Sequence, residues 1–234
     1  MSHTLSVYKS IMTTARALNS DWLCLSHQLQ PGIPTFPGDP EVTVTAHSTV
    51  STAGYAVHSI TLGSQSGTHV DTPAHLFEAG TALHEFPQQR FTTRAIVLDL
   101  RTVAQPAELI PSDVFEQLPL ATAETDSVLV CTGWDKHWGS PTYFQNPYFD
   151  GKASITLLQL GYRTFGCDLP SPDACTDTQL PFHETYLASP DSLIIENLTG
   201  LTQLPQGEVI DFIFLPAQHG SPDGSPVNVI ARPL

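Results

Sequence analysis

Short apolar runs and alternating apolar and polar positions dominate the chain after its first twenty residues. Two runs, EVTVTAHSTV and YAVHSITLGS, alternate with a period of two and are rich in β-branched residues, which is the pattern of half-buried strands. Other runs are short and almost continuously apolar, which is typical of buried strands: RAIVLDL, DSVLVCTG, GYRTFGCDL, DSLIIENL and VIDFIFLPA. WLCLSHQL and PVNVIARP add strand candidates near the two ends.

Helical spacing is confined to a few segments between these runs. Residues 4–18 predict a helix, DGKASITLLQLG predicts a helix that stops at Gly161, and LPFHETYLAS predicts a shorter one. Ser112 in PSDVFEQL is placed as a helix N-cap. The sequence therefore predicts an α/β fold with mixed sheets, a single domain over residues 21–234 that follows an N-terminal helical extension over residues 1–20.

Composition narrows the possible partners. The 234 residues include 23 acidic and 9 basic ones, a net charge of −14, so neither nucleic acid nor an anionic membrane is an expected partner. A small-molecule substrate fits this balance better. The four cysteines form no CxxC pair, no secretory signal is recognisable, and no apolar run reaches the roughly 20 residues of a membrane helix. These features predict a cytoplasmic protein.

The densest polar cluster is QSGTHVDTPAH, residues 65–75, directly after a strand-like run. On an extended segment, residues two apart share a face, so His69 and Asp71 would project together with Gln65 on the same side. Imidazole, carboxylate and amide donors suit a divalent metal. The proline turn that follows could bring His75 over the site without making it a ligand. The alternative is a solvated strand end where His and Asp meet by chance.

Further donors would have to come from distant segments, and each has a plainer interpretation. Glu196 in LIIENL is either a strand-end acid facing water or a buried acid that needs a partner. His183 on its own fits a helix-surface histidine, and Asp168 and Asp173 fit turn and capping residues. The aromatic-rich stretch 132–149 is either a packed loop or subunit interface, or the wall of a pocket.

Several motifs together carry a resemblance to a known family. QSGTHVDTPAH resembles the HxGTHxDxPxH signature of the cyclase family, which includes bacterial kynurenine formamidase and isatin hydrolase. The FPGD turn resembles the family's WPGD turn, and GCDLPSPD resembles its G-x-D-x-P-S-x-D. TGWDKHWGSPTYFQNPYF, ENLTGLTQLP and DGSPVNVIA are similar to other family segments. The likeness covers roughly residues 22–232.

The resemblance implies a fold, an activity and a site. The fold would be the swivelling β/β/α domain, and the protein would be a metal-dependent amide hydrolase that assembles as a dimer or tetramer. One metal shell would contain Gln65, His69 and Asp71, and a second would contain Asp71, His183 and Glu196. His75 would be the general acid/base, and Phe36 would line the substrate pocket.

Two residues depart from the family pattern, and the first of them keeps a second function open. Gln65 stands where the formamidases have histidine, and Asn228 stands where many members carry arginine. The first function is hydrolysis of an aryl formamide, a cyclic amide or an imide by water activated on one or two ions of zinc or manganese. The competing function is a non-catalytic or metal-free small-molecule binding protein, because an amide oxygen is a weaker ligand than imidazole.

Overall fold

The computed structural model describes residues 21–176 and 178–234. The predicted helix over residues 4–18 lies outside this range. The strands are β1 Leu23–Cys24, β2 Thr43–Ser48, β3 Val57–Thr61, β4 His69–Asp71, β5 Thr92–Asp99, β6 Thr125–Cys131, β7 Thr164–Cys167, β8 Leu193–Glu196, β9 Val209–Pro216 and β10 Gly224–Pro233. The α-helices are α1 Val50–Ala53, α2 Gly151–Leu160 and α3 Pro181–Tyr186. Within the described residues, seven 3₁₀ turns lie between these elements: Pro73–His75, Leu83–Glu85, Gln88–Phe91, Ser112–Phe115, Trp134–His137, Pro141–Phe144 and Leu201–Gln203.

Eight strands form one mixed sheet in the order β1-β10-β4-β8-β7-β6-β5-β9, and β9 also pairs with β10, so the sheet closes on itself. The pairs from β5 through β8 are parallel, and the other pairs are antiparallel. Strands β2 and β3 form a separate antiparallel hairpin. The predicted α/β fold with mixed sheets is confirmed.

Alternating side chains of the parallel strands belong to two different apolar cores. On β6, Val128 and Val130 belong to a core that also contains residues of α2 and α3. Leu129 and Cys131 belong to a second core, shared with β9 and β10. Both faces of these strands are therefore buried, which explains why their sequences are continuously apolar rather than alternating.

Local sequence predicted the end of α2 correctly, but it did not predict the structure at Ser112. Asp150 caps α2 by accepting a hydrogen bond from the Ala153 N–H, and Gly161 ends the helix at φ 94°, as predicted. The N-cap prediction for Ser112 is wrong, because Ser112 lies inside a single 3₁₀ turn and its side chain caps nothing. Pro119 follows shortly after and disfavours helical backbone at the residue before it, so the turn does not extend.

The short strand β4 is held between β8 and β10, and this pairing assembles the site. His69 lies opposite Glu196 of β8, and Asp71 lies opposite Gly224 of β10. A Cβ at Gly224 would lie 2.4 Å from the Val70 carbonyl oxygen, so only glycine permits this approach of the two strands.

The α-helices within the described ranges are all too short to cross a lipid bilayer. The cytoplasmic location stays a prediction.

Candidate metal centre

A cavity of about 230 Å³ opens beside β4, and every residue that the sequence analysis placed in the site lines it. These residues are Phe36, Gln65, His69, Asp71, His75, His183 and Glu196. The predicted common face of His69 and Asp71 is observed. The side chains come from β4 and the turns on either side of it, from α3, from the end of β8 and from the loop before β2.

His69 is buried and directs one ring nitrogen at two carboxylates. Its Nε2 lies 3.4 Å from Asp71 Oδ1 and 3.3 Å from Glu196 Oε2. Its Nδ1 lies 2.9 Å from the Gly67 carbonyl oxygen. A carbonyl only accepts hydrogen bonds, so Nδ1 carries a proton and the Nε2 lone pair is available to a cation.

His183 is arranged in the same way from the opposite side. Its Nδ1 lies 2.6 Å from Asp173 Oδ2, and its Nε2 lies 3.2 Å from Glu196 Oε1 and 3.5 Å from Asp71 Oδ2. Asp173 also accepts the backbone N–H groups of Phe182 and His183 at the start of α3. One carboxylate therefore caps the helix and fixes the histidine, an arrangement typical of ligands whose other nitrogen binds a metal.

Asp71 and Glu196 each turn one oxygen toward each histidine. Ligand atoms of His69, Asp71 and Glu196 all lie within 4.8 Å of one another, so these residues could hold an ion. Three buried oxygens along the cavity have no hydrogen-bond partner among the described residues: Gln65 Oε1, Asp71 Oδ1 and Glu196 Oε1. Buried oxygens without donors are costly, so this donor set fits a divalent cation.

The electrostatics of the cluster agree with this fit. Burial alone would lower the pKa of His69, but Asp71 and Glu196 outweigh burial and raise that pKa to about 9. Burial would raise the pKa of Asp71, yet His69 and His183 hold it below its ordinary value. The carboxylates thus bind a positive charge, which is a proton on imidazole when no metal is bound.

Gly67 shapes the turn before β4. Its φ is +64°, and an added Cβ would lie 2.7 Å from the side chain of Leu29. Its carbonyl oxygen also accepts a hydrogen bond from Asn197 Nδ2, and Asn197 adopts φ 57° directly after β8. Tyr143 donates its hydroxyl to Asn197 Oδ1. The sequence analysis did not single out Asn197 as a site residue, although asparagine tolerates this backbone conformation better than most residues.

His75 lies in the 3₁₀ turn after β4, across the cavity from α3, with its ring centre 6.1 Å from that of His183. Gln65 Nε2 lies 3.2 Å from His75 Nδ1 and 3.1 Å from Asp223 Oδ2. Phe36 packs edge-on against Phe144 near the cavity, at 6.4 Å between ring centres.

Two plainer interpretations of single residues are wrong, and both alternatives for the aromatic stretch hold. His183 is buried rather than on a helix surface, because Phe182 and Tyr186 seat α3 in the core. Glu196 is buried rather than facing water, because β4 covers the end of β8. The aromatic stretch 132–149 is packed, as Trp134 and Phe149 in the core show, yet it also supplies a cavity wall through Tyr143 and Phe144.

Two residues hold site side chains in place without a sequence pattern that predicts this role. Asp173 was assigned a capping role, which is confirmed, but its contact with His183 had no sequence signal because α3 begins several residues later. Asp223 lies in SPDGSP, which only indicates a turn.

The sequence comparisons identify the family to which this fold and this group of side chains belong. The family pattern described as "Putative cyclase" matches residues 23–174. The chain is 30% identical over 214 residues to a kynurenine formamidase of Salinibacter ruber, with 89% of this chain and 95% of that protein covered. It is 29% identical over 222 residues to a kynurenine formamidase of Geobacillus thermodenitrificans, with 91% and 98% covered. The chain belongs to the cyclase family.

Solved structures show the same fold. An isatin hydrolase bound to the product analogue thioisatinate superposes with a TM-score of 0.78 at 20% identity, covering 97% of both chains. Isatin hydrolase A from Labrenzia aggregata gives a TM-score of 0.78 at 22% identity, covering 97% of this chain and 98% of that one. A kynurenine formamidase is, by its name, a hydrolase of an amide bond other than a peptide bond, so the predicted hydrolase class is confirmed.

Proposed function

We propose that this protein is a metal-dependent hydrolase that cleaves a small aryl formamide or cyclic amide. The observation that carries the proposal is the buried group of two histidines and two carboxylates, in which the protein holds both Nδ1 atoms and turns both Nε2 atoms toward Asp71 and Glu196. The named relatives support the amide substrate class.

His69, Asp71, His183 and Glu196 would hold the metal, with the oxygen of Gln65 as a further candidate ligand. Each carboxylate contacts both histidines, so the group offers either one shared site or two half-sites bridged by carboxylates. Imidazole and carboxylate ligands suit zinc and manganese, the two metals we propose. When bound, such an ion polarises a carbonyl and makes a coordinated water more acidic.

The remaining cavity residues would bind and orient the substrate. Phe36 and Phe144 present aromatic surface that fits an aryl ring, and the exposed fraction of Phe36, 38%, leaves this surface open to a ligand. His75 lines the cavity beside the cluster without contacting the carboxylates at ion-pair distance, as expected for a general acid/base that acts on the scissile amide.

The experiment compares metal content and turnover in the same preparation. Protein purified without chelator is examined by elemental analysis and assayed on aryl formamides, cyclic imides and lactams. We expect bound zinc or manganese and hydrolysis that a chelator abolishes and one of these ions restores. A protein that contains no metal and turns over none of these amides would instead support the small-molecule binding function that Gln65 left open.

We also propose that the protein is a homo-oligomer. The hairpin of β2 and β3 exposes Val44, Val57 and Ile60 in the single chain, and a two-stranded hairpin is marginal unless something packs on it. Light scattering should give the mass of a dimer or tetramer. A monomeric mass at micromolar concentration would contradict this proposal.

A further inference from the structure

The amide of Gln65 has only one orientation that satisfies its neighbours. The same side-chain atom, Nε2, lies 3.1 Å from Asp223 Oδ2 and 3.2 Å from His75 Nδ1. An ionised carboxylate accepts hydrogen bonds and cannot donate them, so the atom facing it is the amide nitrogen and not the oxygen.

Asp223 is itself held as an ionised acceptor. Ser64 donates its hydroxyl to Oδ2 at 2.5 Å, and Ser221 donates its hydroxyl to Oδ1. Burial would raise the pKa of Asp223, but the Ser221 and Ser64 hydroxyls hold it below its ordinary value. The carboxylate therefore anchors one of the two N–H bonds of the Gln65 amide.

The second N–H bond of that amide then points to His75. A donor at Nδ1 requires that Nδ1 of His75 be the acceptor, so this nitrogen carries no proton. A neutral imidazole has a single N–H, which must therefore be on Nε2, on the side of the ring away from Gln65.

We infer that Gln65 is a positioning residue for His75 and that, anchored by Asp223, it holds His75 as the Nε2–H tautomer. The inference rests on the proposed function, because amide hydrolysis is the reaction in which His75 would act. It specifies that His75 acts as a proton donor through Nε2. The Nε2–H is offered as a hydrogen bond to the substrate carbonyl oxygen, where negative charge develops during attack.

An amide suits this position for a simple reason. One amide nitrogen carries two N–H bonds and can serve Asp223 and His75 from the same atom, whereas a ring nitrogen of histidine carries at most one. The amide also leaves Gln65 Oε1 without a hydrogen-bond partner among the described residues, so the oxygen stays available to the metal group. Gln65 is therefore not only a weaker substitute for an imidazole ligand, because its amide nitrogen also orients His75.

The first test reads the tautomer directly in metal-free protein labelled with ¹⁵N-histidine. Two-bond ¹H–¹⁵N correlation spectra distinguish the two neutral tautomers from each other and from the doubly protonated ring. Comparison with His75→Ala identifies the His75 signals. We expect Nε2–H in the parent, Nδ1–H in Gln65→Glu, whose carboxyl oxygen accepts from Nδ1, and a mixture in Gln65→Leu.

The control variant is Gln117→Glu, which makes the same change in charge at an exposed glutamine away from the cavity. It should leave the tautomer of His75 unchanged. An Nδ1–H tautomer in the parent would overturn the inference, and so would the same tautomer in the parent and in Gln65→Glu.

Kinetics and metal content supply the second test. Gln65→Glu keeps an oxygen ligand, so we expect its metal content to match the parent while kcat falls about 10²-fold, the scale of a lost oxyanion donor, with KM little changed. Equal kcat in the two proteins would overturn the proposed catalytic consequence. If the parent hydrolyses no amide but shows the Nε2–H tautomer, the proposed function fails and the positioning role of Gln65 stands.

Discussion

The two sides of the cavity use the same side chain for different purposes. One side carries the proposed metal site and is called the metal side below. There, Nδ1 of His69 faces the Gly67 carbonyl and Nδ1 of His183 faces Asp173, so both groups at Nδ1 are acceptors. On the opposite side, Nδ1 of His75 faces the donor amide of Gln65. An acceptor at Nδ1 leaves a lone pair on Nε2, which can bind a cation, whereas a donor at Nδ1 leaves a proton on Nε2.

The difference shows that the hydrogen-bond partner at Nδ1, and not the histidine itself, determines whether Nε2 can bind a cation or donate a hydrogen bond. In each case that partner comes from a turn or a loop beside the cavity: Gly67, Gln65 and Asp173. Replacing these partners or the histidines should therefore separate metal binding from proton donation.

The largest expected effect is on the metal side, from Asp71→Ala. Asp71 contacts both histidines, so its loss removes a carboxylate from the whole group. We expect the variant to lose its bound metal and to turn over amide at the uncatalysed rate. Elemental analysis and the amide assay check this, with Asp71→Asn as a variant of the same shape and Asp113→Ala as an exposed control. Equal metal in Asp71→Ala and the parent would reject the metal role of Asp71.

His75→Ala should give the next largest effect and leave the metal side intact. We expect turnover to fall about 10²–10⁴-fold, the usual contribution of a general acid or base, while metal content stays at the parent level. The control is His84→Ala, at an exposed histidine. Normal turnover in metal-loaded His75→Ala protein would rule out His75 as the catalytic histidine.

Asp173→Asn tests whether an indirect partner tunes a ligand. Asparagine can still accept backbone hydrogen bonds at the start of α3, but it is a weaker partner for His183 Nδ1. We expect metal affinity to fall about 10–100-fold. Asp150→Asn is the matched control, because Asp150 caps α2 without contacting a histidine. Similar metal affinities for Asp173→Asn and Asp150→Asn would show that Asp173 serves the helix alone.

The smallest effect concerns stability and pH. Burial would lower the pKa of His69, but Asp71 and Glu196 raise it to about 9, above the ordinary 6.5. Protonated His69 therefore stabilises metal-free protein fully below pH 6.5, and this contribution is lost as pH rises through about 9. We expect the Tm of metal-free protein to fall across this window while metal-loaded protein keeps its Tm, because the ion replaces the proton. A metal-free Tm that holds constant would contradict the raised pKa.

The sequence predicted much of the fold and one part of the site. The apolar runs located the long strands because both faces of the parallel strands are buried, and the spacing of His69 and Asp71 placed both on one face. Gly161 was identified as the end of a helix because few other residues adopt its backbone angles.

The rest of the site depends on pairings that no local pattern records. The residue pattern alone favoured a surface position for His183 and did not decide whether Glu196 is buried or faces water. Only the resemblance to the cyclase family predicted that both residues belong to a metal site. Burial of both follows from how α3 and β8 pack against distant segments. Asp223 approaches Gln65 only because β10 pairs with β4, so its role could not be predicted from the turn that contains it.

The position of β4 between β8 and β10 also determines when the site can form during synthesis. His69 leaves the ribosome well before Glu196 and β10, which follow it at a long distance along the chain. The nascent chain therefore carries an incomplete donor set while most of its sheet is being made. The proposed metal site is consequently complete only after translation of β10 and closure of the sheet.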